Sequence, residues 1–490
     1  MDDKPVASFW RYFCFCLLAS LLACKPSDHS GTASSRGTPD KAEPISRADR
    51  KDREARFKWN LATLAGDYDK KGTKDPKWDR PVREALTIFA RARSYGPEQE
   101  AGFPKNLADA VNMAVDAGCN DPMVKYLHLR FCRVVNDTNE MASAFRDVCN
   151  ELLRSDYSAV RKFYGCMRAA EARYHVSGRP RRENPDSIAG WNIFKRAHDE
   201  LISFLADKTA PEAEVDEACH DYLKLASHVT GDLDFVFGQI EAPLFANRPK
   251  SSVPYLLKGE CYQLYAWAAR GNGMADTVTP DGWKGFAERL AVAEAALDQA
   301  WKINPHDARI ANAMMAVELG QGKGRERMEL WFQRAMAIAP NYYDACSAKL
   351  YYLEPKWHGS PDDMLAFGRE CVASEKWQGW VPLILKEAHD SLAKYAEKAK
   401  RTNYWTQAEV WPDIKASFDK FFTLNPEAVN WRQTYARYAY SCEQWDAFKE
   451  QVKRAGDISY EYFGGRDEFD KMMKTATEHG KAATEGKTGH

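Results

Sequence analysis

Apolar residues recur at spacings of three and four along most of the chain after residue 57. The clearest stripe consists of Trp283, Phe286, Leu290, Ala293, Leu297 and Ala300. Charged residues fill the positions between them, which is the pattern of a helix with one buried face. No window alternates with the period of two that a half-buried strand shows. The sequence therefore predicts an all-α fold.

Proline and glycine mark where consecutive helices end. The stripe from Trp283 stops at Asn304-Pro305, the next helix is ended by the glycines of 320–322, and the one after stops at Ala339-Pro340. Proline cannot continue a helix, and glycine favours the conformation that closes one. These ends predict helix hairpins stacked in a solenoid. Since about 400 residues exceed one ordinary hydrophobic core, we expect two helical subdomains.

The spacing of the helix ends resembles that of the tetratricopeptide repeat. Pro305 and Pro340 are 35 residues apart (340 − 305), close to the family's period of about 34. Ala293, Leu297 and Ala300 follow the small, large, small order of the family's second helix. In the unit that ends at Pro340, the matching residues are Met315, Ala316, Phe332 and Ala335.

This resemblance covers residues 274–342 and is weaker at a third unit, which ends at Asn425-Pro426 and has Phe421 where the family has alanine. Met328 also stands where a small residue is usual. The resemblance implies stacked helix pairs with an open concave face. We therefore assign 251–463 as a tetratricopeptide-like domain, 57–250 as an irregular helical repeat region, and 464–490 as a C-terminal helix followed by a disordered polar tail from Gly480.

The N-terminus carries the pattern of an export signal. An uncharged run from Tyr12 to Ala23 follows Arg11 and is too short for a comfortable membrane span. Leu21-Leu22-Ala23-Cys24 resembles the lipobox of bacterial lipoproteins, which implies a signal peptide over 1–23 and lipid attachment at Cys24. Lys25 after the cysteine implies the periplasmic face of the outer membrane rather than the inner membrane. The alternative is an uncleaved interfacial or short transmembrane helix.

The segment 24–56 is predicted to be a flexible linker. Small, polar and charged residues dominate it, and Ile45 is its one large aliphatic residue. Such a composition cannot bury enough apolar surface to offset its ordering entropy. The 32 residues after Cys24 (56 − 25 + 1) give a random-coil reach of roughly 30 Å.

Composition and motifs restrict the possible chemistry. The chain has 69 basic and 70 acidic residues without a basic stripe, so we predict no nucleic-acid partner. The nine cysteines beyond Cys24 form no CxxC pair, so buried thiols are the default interpretation and disulfide connectivity stays open. No HExxH, GxSxG or complete phosphate-loop motif occurs. We predict no catalytic residue, metal or cofactor.

Two turns supply candidate partner-binding residues. Trp357 and His358 flank a tight turn, and Arg270 and Asn272 follow a helix rich in tyrosine and tryptophan. Purely structural roles explain most of the residues in both turns. In this interpretation, Ser360 caps a helix whose first residue is Pro361, while the residues after Arg270 form a glycine C-cap.

The wider segment from Tyr255 to about Gly465 resembles bacterial lipoprotein-type proteins that carry an uncharacterised domain, through the sequences AWAARG (266–271) and PKWHGS (355–360). Together these patterns predict a lipid-anchored helical-repeat module of the bacterial cell envelope that binds a protein or peptide partner. The alternatives are an α/α-barrel enzyme acting on an envelope glycan or other polymer, and a structural spacer without a ligand.

Overall fold

The fold consists of helices joined by short turns. The computed structural model describes residues 47–97, 100–133, 137–177, 185–229, 233–271, 273–399 and 403–485. Over those residues it contains α-helices, short 3₁₀ helices and no strand, which confirms the all-α prediction. The predicted signal peptide, Cys24 and Asn272 lie outside the described residues. None of the helices described is both long enough and apolar enough to cross a membrane.

The chain divides into two compact units, Asp40–Asn304 (the N-terminal unit) and Pro305–His490 (the C-terminal unit). The helices of the N-terminal unit are α1 (Arg47–Thr63), α2 (Ala65–Lys71), α3 (Asp79–Tyr95), α4 (Lys105–Asp116), α5 (Pro122–Phe131), α6 (Thr138–Arg154), α7 (Ala159–Ser177), α8 (Pro185–Leu205), α9 (Glu212–Val229), α10 (Leu233–Asn247), α11 (Val253–Arg270) and α12 (Pro280–Ile303).

The helices of the C-terminal unit are α13 (Ala308–Gln321), α14 (Arg325–Ile338), α15 (Tyr343–Tyr352), α16 (Pro361–Ala373), α17 (Ile384–Lys398), α18 (Val410–Leu424), α19 (Trp431–Ser441), α20 (Trp445–Ala455) and α21 (Arg466–Glu485). In both units, each helix packs chiefly against its neighbours in sequence. Within each unit this is the predicted solenoid of helix hairpins.

The helices of the C-terminal unit lie in two layers. Helices α13, α15 and α17 contact one another in succession, and α16 contacts α18. The first hairpin joins two helices of 14 residues through a turn at Gly322, whose φ of 61° lies in the left-handed region. Glycine adopts this conformation without the steric cost that a Cβ would bring. The helix ends predicted at Pro305, Gly322 and Pro340 all agree with the structure.

The hairpin that ends at Asn304 is longer than a tetratricopeptide unit. It joins α11 and α12 and spans 51 residues (303 − 253 + 1). A Cβ at Gly259 would lie 2.4 Å from Leu297 Cγ, so glycine allows the two helices to approach closely. Because α11 packs against both α10 and α12, the division between units falls at 304/305, whereas the sequence placed a domain boundary at 250/251.

Both termini of the described region contain more helix than the sequence predicted. The last ten residues of the predicted linker, 47–56, belong to α1. They are held because Arg56 forms ion pairs with Glu214 and Glu217 on α9, which composition alone does not reveal. At the other end, α21 continues to Glu485, five residues beyond the Gly480 where a polar tail was expected to begin.

Close helix contact in the C-terminal unit requires Gly368. A Cβ there would lie 2.8 Å from Leu385 Cα on the next helix. We expect Gly368→Ala to force α16 and α17 apart and to lower the free energy of unfolding by about 1–3 kcal/mol, as overpacking does. Urea unfolding followed by circular dichroism measures this.

The matched control is Gly238→Ala, inside α10, where a Cβ meets nothing within 4 Å. There alanine should raise stability by about 0.5–1 kcal/mol through its better helix propensity. Equal stability of Gly368→Ala and the parent chain would contradict the close contact.

Candidate binding site

His358 is turned into the fold and stabilises a helix end. Its Nε2 lies 3.0 Å from the carbonyl oxygen of Leu319, in the last turn of α13, where carbonyls lack helical partners. The ring also packs on Tyr352, with centroids 4.5 Å apart. The neighbouring Trp357 packs against Tyr351 at 5.8 Å. Both predicted binding residues therefore have structural contacts, and their role towards a partner stays a prediction.

The turn after Trp357 and His358 is a helix start. Ser360 Oγ accepts a hydrogen bond from the backbone N–H of Asp363 at 3.1 Å, and Pro361 occupies the first position of α16. This is the capping arrangement that the sequence indicated. Asp362 and Asp363 in the first turn add favourable charge at the positive end of the helix.

Arg270 stabilises the turn between α11 and α12. Its Nη1 donates to the carbonyl oxygens of Gly271 and Gly273, at 3.2 and 3.1 Å. Its guanidinium also lies over the rings of Trp267 and Trp283, at 5.6 and 5.2 Å. Arg270 belongs to the N-terminal unit, whereas Trp357 and His358 belong to the C-terminal unit. The predicted residues thus do not form one site within a single unit.

A buried carboxylate organises the charges of the N-terminal unit. Glu214 is fully buried on α9 and accepts hydrogen bonds from Arg56 (2.6 Å), Asn60 (2.7 Å) and Arg93 (2.7 Å). Burial alone would raise the pKa of Glu214, but Arg93 and Arg56 outweigh it and lower that pKa. Glu214 therefore stays ionised and saturated with donors, so it does not serve as a proton donor.

Arg161 completes the same cluster from α7. It is 2 % exposed and donates to Asn60 Oδ1 and Thr63 Oγ1, both at 2.6 Å. Burial, followed by repulsion from Arg93, lowers its pKa to about 10. A small cavity, with about 10 Å³ of room for water, lies beside this cluster. Its lining consists of Phe89, Arg93, Met123, Tyr126, Arg130, Arg161 and Tyr164.

This cavity does not suit a large substrate. Ligand pockets usually measure about 300–1,000 Å³, so the volume falls short of that range. A glycosidase also needs two carboxylates that flank the scissile bond, and the lining contains none. The cavity therefore does not supply the site that the α/α-barrel alternative requires, and we interpret the cluster as structural.

The C-terminal unit holds a set of carboxylates that remains partly accessible. We define the acidic row as Glu354, Glu387 and Asp390, which lie on α17 and in the turn after α15. Tyr343 on α15 donates to Glu387 at 3.2 Å, and Tyr438 on α19 donates to Asp390 at 2.7 Å. The row thus connects α15, α17 and α19, which are alternate helices.

Further hydrogen bonds fix Glu354. Ser391 and Tyr395, both on α17, donate to its two carboxylate oxygens at 3.0 Å each. Burial and the neighbouring carboxylate raise the pKa of Tyr395. The tyrosine hydroxyl therefore stays protonated and acts as a donor. Glu354 is nearly buried as a result, which leaves Glu387 and Asp390 as the accessible members of the row.

A lysine lies between the two accessible carboxylates. Lys386 Nζ is 2.6 Å from Glu387 Oε1 and 3.1 Å from Asp390 Oδ2. Burial alone would lower the pKa of Lys386, but these carboxylates outweigh it and raise that pKa. The Lys386 side chain is 9 % exposed, whereas Glu387 and Asp390 are 28 % and 20 % exposed. The two acidic side chains are therefore more accessible than the lysine side chain between them.

A hydroxyl, an imidazole and a carboxylate also form a chain beside the row. His389 lies 2.8 Å from Tyr404 Oη through Nδ1 and 3.1 Å from Asp413 Oδ2 through Nε2, and Arg369 binds Asp413 at 2.8 Å. Burial lowers the pKa of His389, so the neutral ring donates to Asp413 and accepts from Tyr404. Since His389 is 1 % exposed, this chain holds helices together and does not meet a substrate.

Comparison with known proteins adds no family to these observations: a scan against protein-family models finds no match, and no curated protein matches the chain in sequence. Over the part of the chain that the structure describes, no three His, Cys, Asp or Glu side chains lie close enough together to hold a metal ion. We take the acidic row as a candidate binding site, and no motif in the sequence indicates it.

The buried cluster in the N-terminal unit leads to a testable prediction about the free energy of unfolding. We expect Glu214→Gln to lower the free energy of unfolding by about 3 kcal/mol at neutral pH, because it leaves buried arginines without their carboxylate. Glu217→Gln, at a carboxylate that is 31 % exposed, should cost about 1 kcal/mol or less. Urea unfolding of both variants and the parent chain measures the difference.

The contribution of Glu214 to the free energy of unfolding depends on pH with a defined sign. Because the folded pKa of Glu214 is lowered, its contribution is present above the unfolded value and is lost as the pH falls through the folded one. The stabilities of the parent chain and Glu214→Gln should therefore begin to converge below about pH 4 and should meet only near the folded pKa of about 2. A gap between them that stays constant down to acid pH would contradict this assignment.

Proposed function

We propose that this chain is a lipid-anchored helical-repeat module that holds a protein or peptide partner near a bacterial membrane. The observation that carries the proposal is the acidic row. Its carboxylates lie on α17 and in the turn after α15. Tyrosine hydroxyls orient them, and Glu387 and Asp390 are partly exposed. Groups that are fixed before binding lose little conformational entropy when a partner arrives.

The chemistry of the row selects the kind of partner. Ionised carboxylates only accept hydrogen bonds, so they pair with lysine, arginine or backbone N–H groups. Lys356 contacts Glu354, and Lys386 contacts Glu387 and Asp390. A basic segment of a partner protein fits this surface. The Cys24 lipid anchor and the linker up to α1 support the envelope location, and both are proposals drawn from the resemblance to lipoproteins.

The partner-binding role is tested with the double variant Glu387→Gln/Asp390→Asn, which keeps side-chain size and removes two charges. We expect recovery of the partner from solubilised envelope to fall at least tenfold, since losing charge-assisted hydrogen bonds costs about 1.5 kcal/mol or more. Recovery by the parent chain should also fall as salt rises.

Glu375→Gln is the matched control for that experiment, because Glu375 is an 88 % exposed carboxylate elsewhere in the same unit. It should recover the partner as well as the parent chain does. Equal recovery by the double variant would contradict the role of the row. Failure of the parent chain to capture any partner under mild crosslinking would contradict the binding function itself.

The anchor is tested separately with radiolabelled palmitate in a bacterial host. The parent chain should incorporate label and Cys24→Ala should not, because Cys24 is the proposed acylated residue. Cys16→Ala, in the same N-terminal segment, should label normally. An unlabelled parent chain, or a labelled Cys24→Ala variant, would remove the lipid anchor from the proposal and leave the binding role to be judged on the acidic row alone.

A further inference from the structure

Two of the cysteines form a contacting pair in the N-terminal unit. The Cys149 and Cys166 sulfur atoms lie 2.8 Å apart between α6 and α7. Both side chains are at most 1 % exposed. The pair thus joins two consecutive helices of a hairpin, although nothing in the spacing of the cysteines indicates these partners.

The backbone around the pair allows a close approach. A Cβ at Gly165 would lie 2.5 Å from Leu152 Cδ1, so α6 and α7 pack closely beside Cys149 and Cys166. A disulfide has an S–S distance of about 2.05 Å. The two sulfur atoms therefore need to approach by less than about 1 Å.

The folded thiols are poor nucleophiles. The hydrogen bond with Cys149, together with burial, raises the pKa of the Cys166 thiol. Since the thiolate is the species that attacks a disulfide, the buried pair reacts slowly once the helices have packed. A bond between the two sulfur atoms has to form while the chain is still folding.

We propose that Cys149–Cys166 is a disulfide bond in the exported protein. This inference rests on the proposed envelope location, because disulfides persist in oxidising compartments. In the reaction, a thiolate of the pair attacks the disulfide of a thiol–disulfide oxidoreductase and forms a mixed disulfide. The second thiolate then attacks that bond and releases the oxidoreductase as a dithiol, which accepts two electrons and two protons for each bond.

The test counts free thiols after rapid denaturation and alkylation of the full chain from the envelope fraction. Of the nine cysteines between residues 57 and 490, seven (9 − 2) should be alkylated without reductant and all nine after reduction. Peptide mapping should recover the proposed crosslink. Nine alkylated thiols in chain that carries the palmitate label would overturn the disulfide and leave the proposed function intact.

Variants check the pairing. In Cys149→Ser, Cys166 should become alkylatable, so that all eight remaining thiols are free. Cys132→Ser is the control, because Cys132 is half-buried and its thiol lies 3.7 Å from the Ala108 carbonyl oxygen. It should leave six free thiols and the crosslink. Alkylation of Cys166 that does not change in Cys149→Ser would overturn the pair.

A refolding arm separates a failed location from failed pairing. Reduced, denatured full chain is refolded in detergent with oxidised and reduced glutathione. Preferential formation of the Cys149–Cys166 bond supports the pairing even where the palmitate label is absent and the envelope location has failed. Random pairing under these conditions overturns the pairing whatever the location of the protein.

Discussion

The N-terminal unit depends on one buried carboxylate. An ionised glutamate in a protein interior is strongly unfavourable unless its oxygens are paired and hydrogen-bonded. Glu214 meets that condition only because Arg56, Asn60 and Arg93 reach it from α1 and α3. These partners lie more than 100 residues away in sequence, so the contacts form only when the correct helices have come together. The ionised carboxylate is therefore stabilised only when the correct helices have packed together. Apolar contacts alone do not provide this specificity.

In the C-terminal unit, a different set of groups forms a comparable hydrogen-bonded network around a carboxylate. Asp413 on α18 accepts from Arg369 on α16 and from His389 on α17, and His389 accepts in turn from Tyr404. Because burial keeps the imidazole neutral, one ring nitrogen donates while the other accepts. The chain of hydrogen bonds thus helps to attach the short 3₁₀ helix Tyr404–Thr406 to the packed helices, together with the ring contacts of Tyr404 and Trp405.

Local signals in the sequence explain what was predicted correctly. Pro305, Pro340 and the glycine at 322 end helices through their own backbone chemistry, so the helix ends around them were predictable from single residues. The start of α1 was not predictable, because its charged residues resemble a linker until their partners on α9 are known. The structural contact of His358 was not predictable for a similar reason, because its acceptor, the Leu319 carbonyl, lies 39 residues earlier in the chain.

The candidate site was missed because charge by itself carries little information in this chain. Glu214, Glu354, Glu387 and Asp390 are four of 70 acidic residues, and only the folded structure shows how they differ. Glu214 accepts its hydrogen bonds from residues within the fold and has no access to solvent. Glu387 and Asp390 also accept hydrogen bonds within the fold, yet their side chains are partly exposed. Orientation by the fold together with access to a partner is what binding requires. Of the Glu214 cluster and the acidic row, only the acidic row has both.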